Sequence, residues 1–311
     1  VSGTSLTITG VSTGSATIDV TVAEGTSYLA ASASISVTVT VPSNVLNNNS
    51  WAVISEVSQA GLGDTYWDVG DAKQIVLNGK IGNQLTLSNQ ALCVFILDFN
   101  HKMNGVSENN IIWSGFKSAL TGGKDVALVD AQYSQYKTDG TICFNMNHWS
   151  NSNYGGWKGC DLRYDVLGAT STQPSGYGAA KTTSCVGYDA TNATLTSPKA
   201  DTLLSALPSD LRNVIRLWTR MVDAVGNSSD VDANVKATVD AITLLAEPEL
   251  FTSRAYANVY EFSHNTQMAY YANGNSKVRY KHNDTSTAVN WWECSPNYNN
   301  TNDFCYVNSG G

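Results

Sequence analysis

Charge is scarce in this chain of 311 residues: Asp, Glu, Lys and Arg together make up 14%, against about a quarter in an ordinary globular protein. No basic block stands out and the net charge is -8. A surface that tracks phosphates is therefore not expected, and nucleic acid is not an expected partner. No apolar run of about 18 residues occurs, so no membrane insertion is expected. There is no C-x-x-C pair and the four histidines are scattered, a pattern that predicts neither a zinc site nor any other metal. The G-x-S-x-G, H-E-x-x-H and phosphate-cradling glycine motifs are all missing. The reading is a non-enzymatic protein with no cofactor. No leader is visible ahead of the strand-like start. The expectation is a removed leader, a fragment, or export by another route such as virus assembly.

What replaces charge is Ser, Thr, Asn and Gly, a composition typical of extracellular and virion proteins. Apolar residues reach 42%, enough for a packed core. Six cysteines allow about 15 pairings, which sequence cannot rank. Cys294 and Cys305 form the most plausible local disulfide, and six free buried thiols are the equal alternative.

Residues 1–43 alternate apolar and small polar side chains in "TSLTITG", "GSATIDVTVA" and "ASISVTVTVP". That period of two predicts half-buried strands. The segment resembles the last strands of a bacterial immunoglobulin-like repeat. It is too short for a whole sandwich of about 100 residues, so it reads as a partial stalk domain. Residues 44–50 read as a linker and 51–311 as one α+β domain. There, "WAVISEVSQAG" is a short helix or strand, and 74–77 is a strand. "QLTLSNQALCVFILDFNH" holds two strands, with the continuously apolar 92–99 central. "GWKGCDLRYDVLG" suggests an amphipathic helix with Trp157, Leu162 and Val166 inward. In "LPSDLRNVIRLWTRMVDAVG", Ser209 is placed to N-cap a helix whose Leu211, Val214, Ile215, Trp218 and Val222 recur at three and four.

Isolated chemistry has bland explanations. His148 and His264 read as surface or satisfied histidines. Asp161 and Asp165, four apart on the presumed helix, read as a solvated face rather than a glycosidase pair. "NYNNTND" at 297–303 holds many oxygens but one carboxylate, unlike an EF-hand loop.

Several stretches in fixed order carry a resemblance. They are "DVGDAKQIVLNG" (68–79), "LDFNH" (97–101), "GGWKGCDLR" (155–163), "LPSDLRNVI" (207–215), "YYANGNSKVRY" (270–280), "WW-x-x-SP" (291–296) and "FCYV" (304–307), with a Gly at 310. Together they resemble an uncharacterised domain family of phages and gut bacteria related to the C-type lectin fold. Some members are variable proteins of diversity-generating retroelements. The resemblance implies a C-type-lectin-like domain over 51–311 with short mixed strands, two or three helices and long loops, preceded by the immunoglobulin-like strands. One departure stands out: the family carries Leu-Arg after the tryptophan pair, where this chain has Glu293-Cys294.

From Tyr256 onward lie 7 of the 15 tyrosines and 11 asparagines. Tyr and Trp give contact area at low entropic cost, and Asn and Ser give adaptable hydrogen bonds. With the resemblance, this mixture implies an adhesion or receptor-binding face. Its candidate contact residues are Tyr280, His282, Asn283, Asp284, Asn290, Trp292, Glu293, Asn297, Tyr298, Asn299, Asn300, Asn302 and Asp303. One tryptophan of the 291–292 pair is expected in the core and the other outside, with Phe304 and Val307 anchoring the last strand. The expected partner is a cell-surface protein or glycan, and the expected location a virion tail or fibre, or a cell surface. A homo-oligomer such as a trimer fits that setting. The alternative is a structural virion protein whose C-terminal face packs against neighbouring subunits.

Overall fold

The computed structural model describes residues 14–103 and 106–311, so the strand expected at 4–10 lies outside the described residues. The chain divides into two units, up to Asn44 and from Val45.

The first unit contains an antiparallel hairpin, β1 (Gly14–Val22) and β2 (Ala31–Val39), paired over their full length. The alternation of Thr, Ser and Ala with Val and Ile produces these strands. None of their side chains is buried. A two-stranded ribbon of this kind has little stability by itself in water.

The second unit is mixed α+β. It starts earlier than the expected boundary at 51. Leu46 is buried in its core, and Lys73 donates to the carbonyls of Asn47 and Asn49 at 3.2 and 2.7 Å. Residues 45–50 are thus packed structure rather than a free linker. Ser50 then caps α1 (Trp51–Gln59), accepting from the Val53 amide. The i, i+3, i+6 spacing of Trp51, Ile54 and Val57 buries one face of this helix. It is the single α-helix longer than five residues among those described; the other α-helices are one-turn pieces.

The main sheet holds β3 (Ala72–Ile81), β4 (Leu85–Phe99) and β5 (Ile111–Lys117) in the order β3-β4-β5. The two strands expected within 84–101 are one continuous β4. It is central, as its apolar run implied, and both its faces are covered. Leu92, Val94 and Ile96 enter the larger core cluster, whereas Phe95 and Leu97 enter a second one with Leu250, Met268 and Tyr271.

Two helical expectations are borne out only in part. Residues 154–159 form turns, and helix covers 161–167, π-helical over Arg163–Leu167. Trp157, Leu162 and Val166 are nonetheless buried as expected. Gly155 and Gly156 (φ 85° and 53°) make the turn that seats Trp157, and a Cβ on Gly156 would overlap the Asp223 carbonyl oxygen. Asp161 and Asp165, expected on a solvated face, are fully buried here. Asp161 pairs with Lys181 at 2.5 Å and Asp165 with Lys199 at 3.1 Å.

The other is the long helix after Ser209, most of which is not helical. Helix survives for four residues, Ser209–Arg212, with Pro208 rather than Ser209 at the N-cap. The chain then becomes the strand Trp218–Asp223, in an antiparallel pair with Val235–Asp240. In this strand, period two buries Arg220 and Val222. On that strand the Arg220 guanidinium meets the Glu249 carboxylate, and tertiary pairing overrides the helical spacing.

The C-terminal region is built from two hairpins. Arg279–Lys281 lies between Asp284–Val289 and the short strand Val126–Ala127. Trp291–Pro296 pairs with Phe304–Val307 around a bulge. Phe304 and Val307 are buried, as the anchoring role required. The six cysteines are all free and buried, so no disulfide joins Cys294 to Cys305.

Candidate functional site

The loop 297–303 between the last two strands is held from inside. Asn153, fully buried, donates through Nδ2 to the carbonyls of Asn297, Asn300 and Asp303 at 3.1, 3.0 and 2.9 Å. Two N–H hydrogens serve three acceptors, so at least one is shared. The loop also closes on itself. Asn297 Oδ1 accepts from the Asn299 amide, and Asn300 Oδ1 accepts from the amides of Asn302 and Asp303. Asn300 Nδ2 donates to the Asp303 carboxylate at 2.9 Å. The oxygens that suggested calcium ligands are therefore largely consumed in turn formation. Asn297 and Asn300 build the loop, while Asn299, Asn302 and Asp303 are exposed.

Tyr298 is half-buried. Its amide donates to the Tyr256 carbonyl at 2.8 Å and the Arg254 guanidinium stacks 4.1 Å from its ring centre. Around this loop stand tyrosines that sequence reasoning did not select: Tyr136, Tyr256 and Tyr306 are 54%, 53% and 52% exposed. A depression of about 240 Å³ is lined by Tyr136, Asn151, Trp292, Asn302, Asp303 and Phe304. Burial and then the Asp303 charge push the Tyr136 phenol up to about 12. The one legible hint of this segment was "QYSQYKTDG" at 132–140, polar and tyrosine-bearing.

The two tryptophans of the 291–292 pair go to opposite sides, but neither is simply core or surface. Trp291 packs on the smaller core cluster beneath the Arg279 guanidinium and donates to the Lys277 carbonyl at 2.9 Å. Trp292 packs on the larger cluster, donates to the Phe144 carbonyl at 2.9 Å, and meets Tyr306 edge-on at 6.1 Å.

The remaining expected contacts lie on the 279–289 hairpin. Asn283 and Asp284 are exposed at its tip. Hydrogen bonds from the Ser286 and then the Thr287 hydroxyl hold Asp284 down to about 2. Tyr280 is half-buried under Lys124, 4.1 Å from its ring centre. Asn290, also exposed, receives the Ser309 amide on Oδ1. The 131–139 segment touches both groups: Lys281 Nζ sits 4.0 Å from the Tyr133 ring, and Tyr136 adjoins Asn302 and Asp303.

Two candidates do not reach the surface. His282 is 8% exposed, its Nδ1 accepting from the Val129 amide at 3.2 Å. Glu293 is 2% exposed. Both belong to the interior: the His282 amide also donates to the Ala127 carbonyl at 3.0 Å, and Glu293 lies where the pairing of the last two strands is irregular, between Trp292 and Pro296. His148, expected to be surface or satisfied, is buried with Nε2 on the Cys143 carbonyl and Nδ1 3.5 Å from Asp165. His264 is partly exposed and 3.7 Å from Asp232.

Next to Glu293 lies a buried acidic region. Glu261 accepts from the Asp223 amide and the Ser295 hydroxyl, and burial pushes its carboxyl up to about 8 from 4.5. The native protein keeps this proton where the unfolded chain has released it. Its stabilisation is full below about pH 4.5 and is lost as pH rises towards 8. Glu261→Gln is therefore expected to gain on the wild type by at most about 1.4 kcal/mol per pH unit across that window. Urea midpoints at pH 5 and pH 8 check this; parallel midpoints would contradict it.

A mostly apolar cavity of about 990 Å³, lined by Trp113, Phe116, Leu128, Trp218 and Trp292 among others, penetrates the same unit. Gln132 Oε1 and Trp218 Nε1 line it and lack hydrogen-bond partners.

No protein-family model, no curated protein and no solved structure matches this chain.

Proposed function

We propose that the chain is a non-enzymatic recognition protein that binds a cell-surface protein or glycan through the 297–303 loop and the tyrosines around it. Unit 45–311 is then a C-type-lectin-like head, and the preceding strands belong to an immunoglobulin-like stalk. The setting is a retroelement-diversified phage virion or a cell surface. One observation carries the reading. The loop is fixed by a buried asparagine, while three tyrosines at its border are each more than half exposed. A fixed backbone lowers the ordering cost of binding, and Tyr with Asn is the side-chain mixture of antibody paratopes. Several copies on one particle would multiply a weak single-site affinity.

The test is binding of the full chain to a panel of intact bacterial cells, beside a Tyr298→Ala, Asn302→Ala, Tyr306→Ala variant with matched circular dichroism. Loss of at least tenfold in apparent affinity is expected, because hot-spot truncations cost about 2 kcal/mol or more each. Equal binding by both proteins would place recognition on another surface.

A further inference from the structure

Three buried side chains that the recognition reading leaves unused converge from separate parts of the sequence. Glu247 comes from the one-turn helix Glu247–Leu250, Glu293 from the Trp291–Pro296 strand and Cys305 from the Phe304–Val307 strand. One carboxylate oxygen from each glutamate and the Cys305 sulfur all lie within 4.8 Å of one another. Glu293 is 2% exposed, and its Oε2 has no hydrogen-bond partner. Such an orphaned buried carboxylate oxygen is costly and calls for a proton or a cation.

The surrounding charge sharpens that requirement. The buried guanidinium of this region, Arg220, is already matched by Glu249 at 2.5 Å. Glu261 adds a further carboxyl nearby, and no ion pair found among the described residues includes Glu293. Burial, then Glu247 and Glu261, pushes the Glu293 carboxyl up to about 9. Burial and the same carboxylates raise the Cys305 thiol.

We propose that Glu247, Glu293 and Cys305 form a binding site for one divalent cation of the zinc class, held by two carboxylate oxygens and a thiolate. The thiolate argues against calcium and magnesium, which take oxygen ligands. Zinc accepts sulfur at about 2.3 Å and carboxylate oxygen at about 2.0–2.2 Å in tetrahedral arrangement. Ligand atoms around such an ion sit well inside the observed 4.8 Å envelope. Three protein ligands leave the fourth position to water. Binding releases the protons held by Glu293 and Cys305. The ion would tie the helix Glu247–Leu250 to both strands that flank the recognition loop. Glu247 also receives the amides of Ala255, Tyr256 and Ala257, so the Tyr256 edge of the loop rests on the same site. The proposal stands independently of what the loop binds.

The test uses the full chain, stripped with a chelator and titrated with Zn²⁺ and with Co²⁺. Expected are one equivalent bound per chain, a rise in Tm with Zn²⁺, and a thiolate-to-cobalt charge-transfer band. Cys305→Ser and Glu293→Gln, checked by circular dichroism, should abolish both the band and stoichiometric binding. A cobalt complex without a thiolate band, or a band that survives Cys305→Ser, overturns the proposal. So does a titration with no uptake and an unchanged Tm, which would leave protons as the neutralising charge. If the variants fail to fold, the wild-type stoichiometry and cobalt spectrum decide the matter.

Discussion

An Asn153→Ala protein is expected to lose about 3 kcal/mol of stability and the fixed conformation of the 297–303 loop. The side chain is fully buried, and its Nδ2 serves three loop carbonyls. Its Oδ1 accepts from the Asn227 amide at 3.0 Å, tying the 226–229 turn to the same point. Alanine leaves these groups without partners, and each buried unsatisfied group costs about 1–3 kcal/mol. Part of that cost is recovered by water entering as the loop loosens. Hydrogen exchange would read the change directly. Amides at 297–303 should exchange faster, while those of the central strand at 92–97 keep their protection. Asn153→Asp should do at least as much, because it aims a carboxylate at three carbonyl oxygens. Unchanged loop protection in either variant would show that the loop is held by its own turns alone.

Arg220→Met is expected to cost about 3–5 kcal/mol, the range for breaking a buried ion pair from one side. Arg220 and Glu249 are each 1% exposed in their side chains and meet at 2.5 Å. Arg220 Nη2 also donates to Thr243 Oγ1, the Leu244 carbonyl and Cys294 Sγ at 2.7, 2.9 and 3.1 Å. Methionine fills much of the volume but leaves the Glu249 carboxylate buried without its cation. The double variant Arg220→Met, Glu249→Gln should therefore recover a substantial part of the loss. A double-mutant cycle in urea isolates that coupling. A single-variant loss below about 1 kcal/mol would contradict the account.

The same guanidinium lies against Cys294, 74 residues away in sequence. No spacing rule could announce that contact, since the two residues meet only once their strands are in place.

What was legible followed from local periodicity. The unbroken apolar run at 92–99 announced a strand covered on both faces. The failures share a cause. Residues 214–222 fit a helical period, but Arg220 needs Glu249 and the strand at 235–240 to satisfy its charge. Asp161 and Asp165 looked like a solvated face because their partners, Lys181 and Lys199, lie outside any local window. The composition of the 297–303 loop was readable, but its support was not: Asn153 sits in an unremarkable "SNSNYGG". Glu247, Glu293 and Cys305 likewise show no ligand spacing along the chain.

The central claim is that the surface around 297–303 meets the ligand. Hydroxyl-radical footprinting of the full chain, free and bound to a cell type that retains it, tests this most directly. The account predicts protection of Tyr136, Tyr256, Tyr298 and Tyr306 on binding, with Tyr28 and Tyr188 modified equally in both states. Protection confined to other residues, with these four tyrosines unchanged, would contradict it.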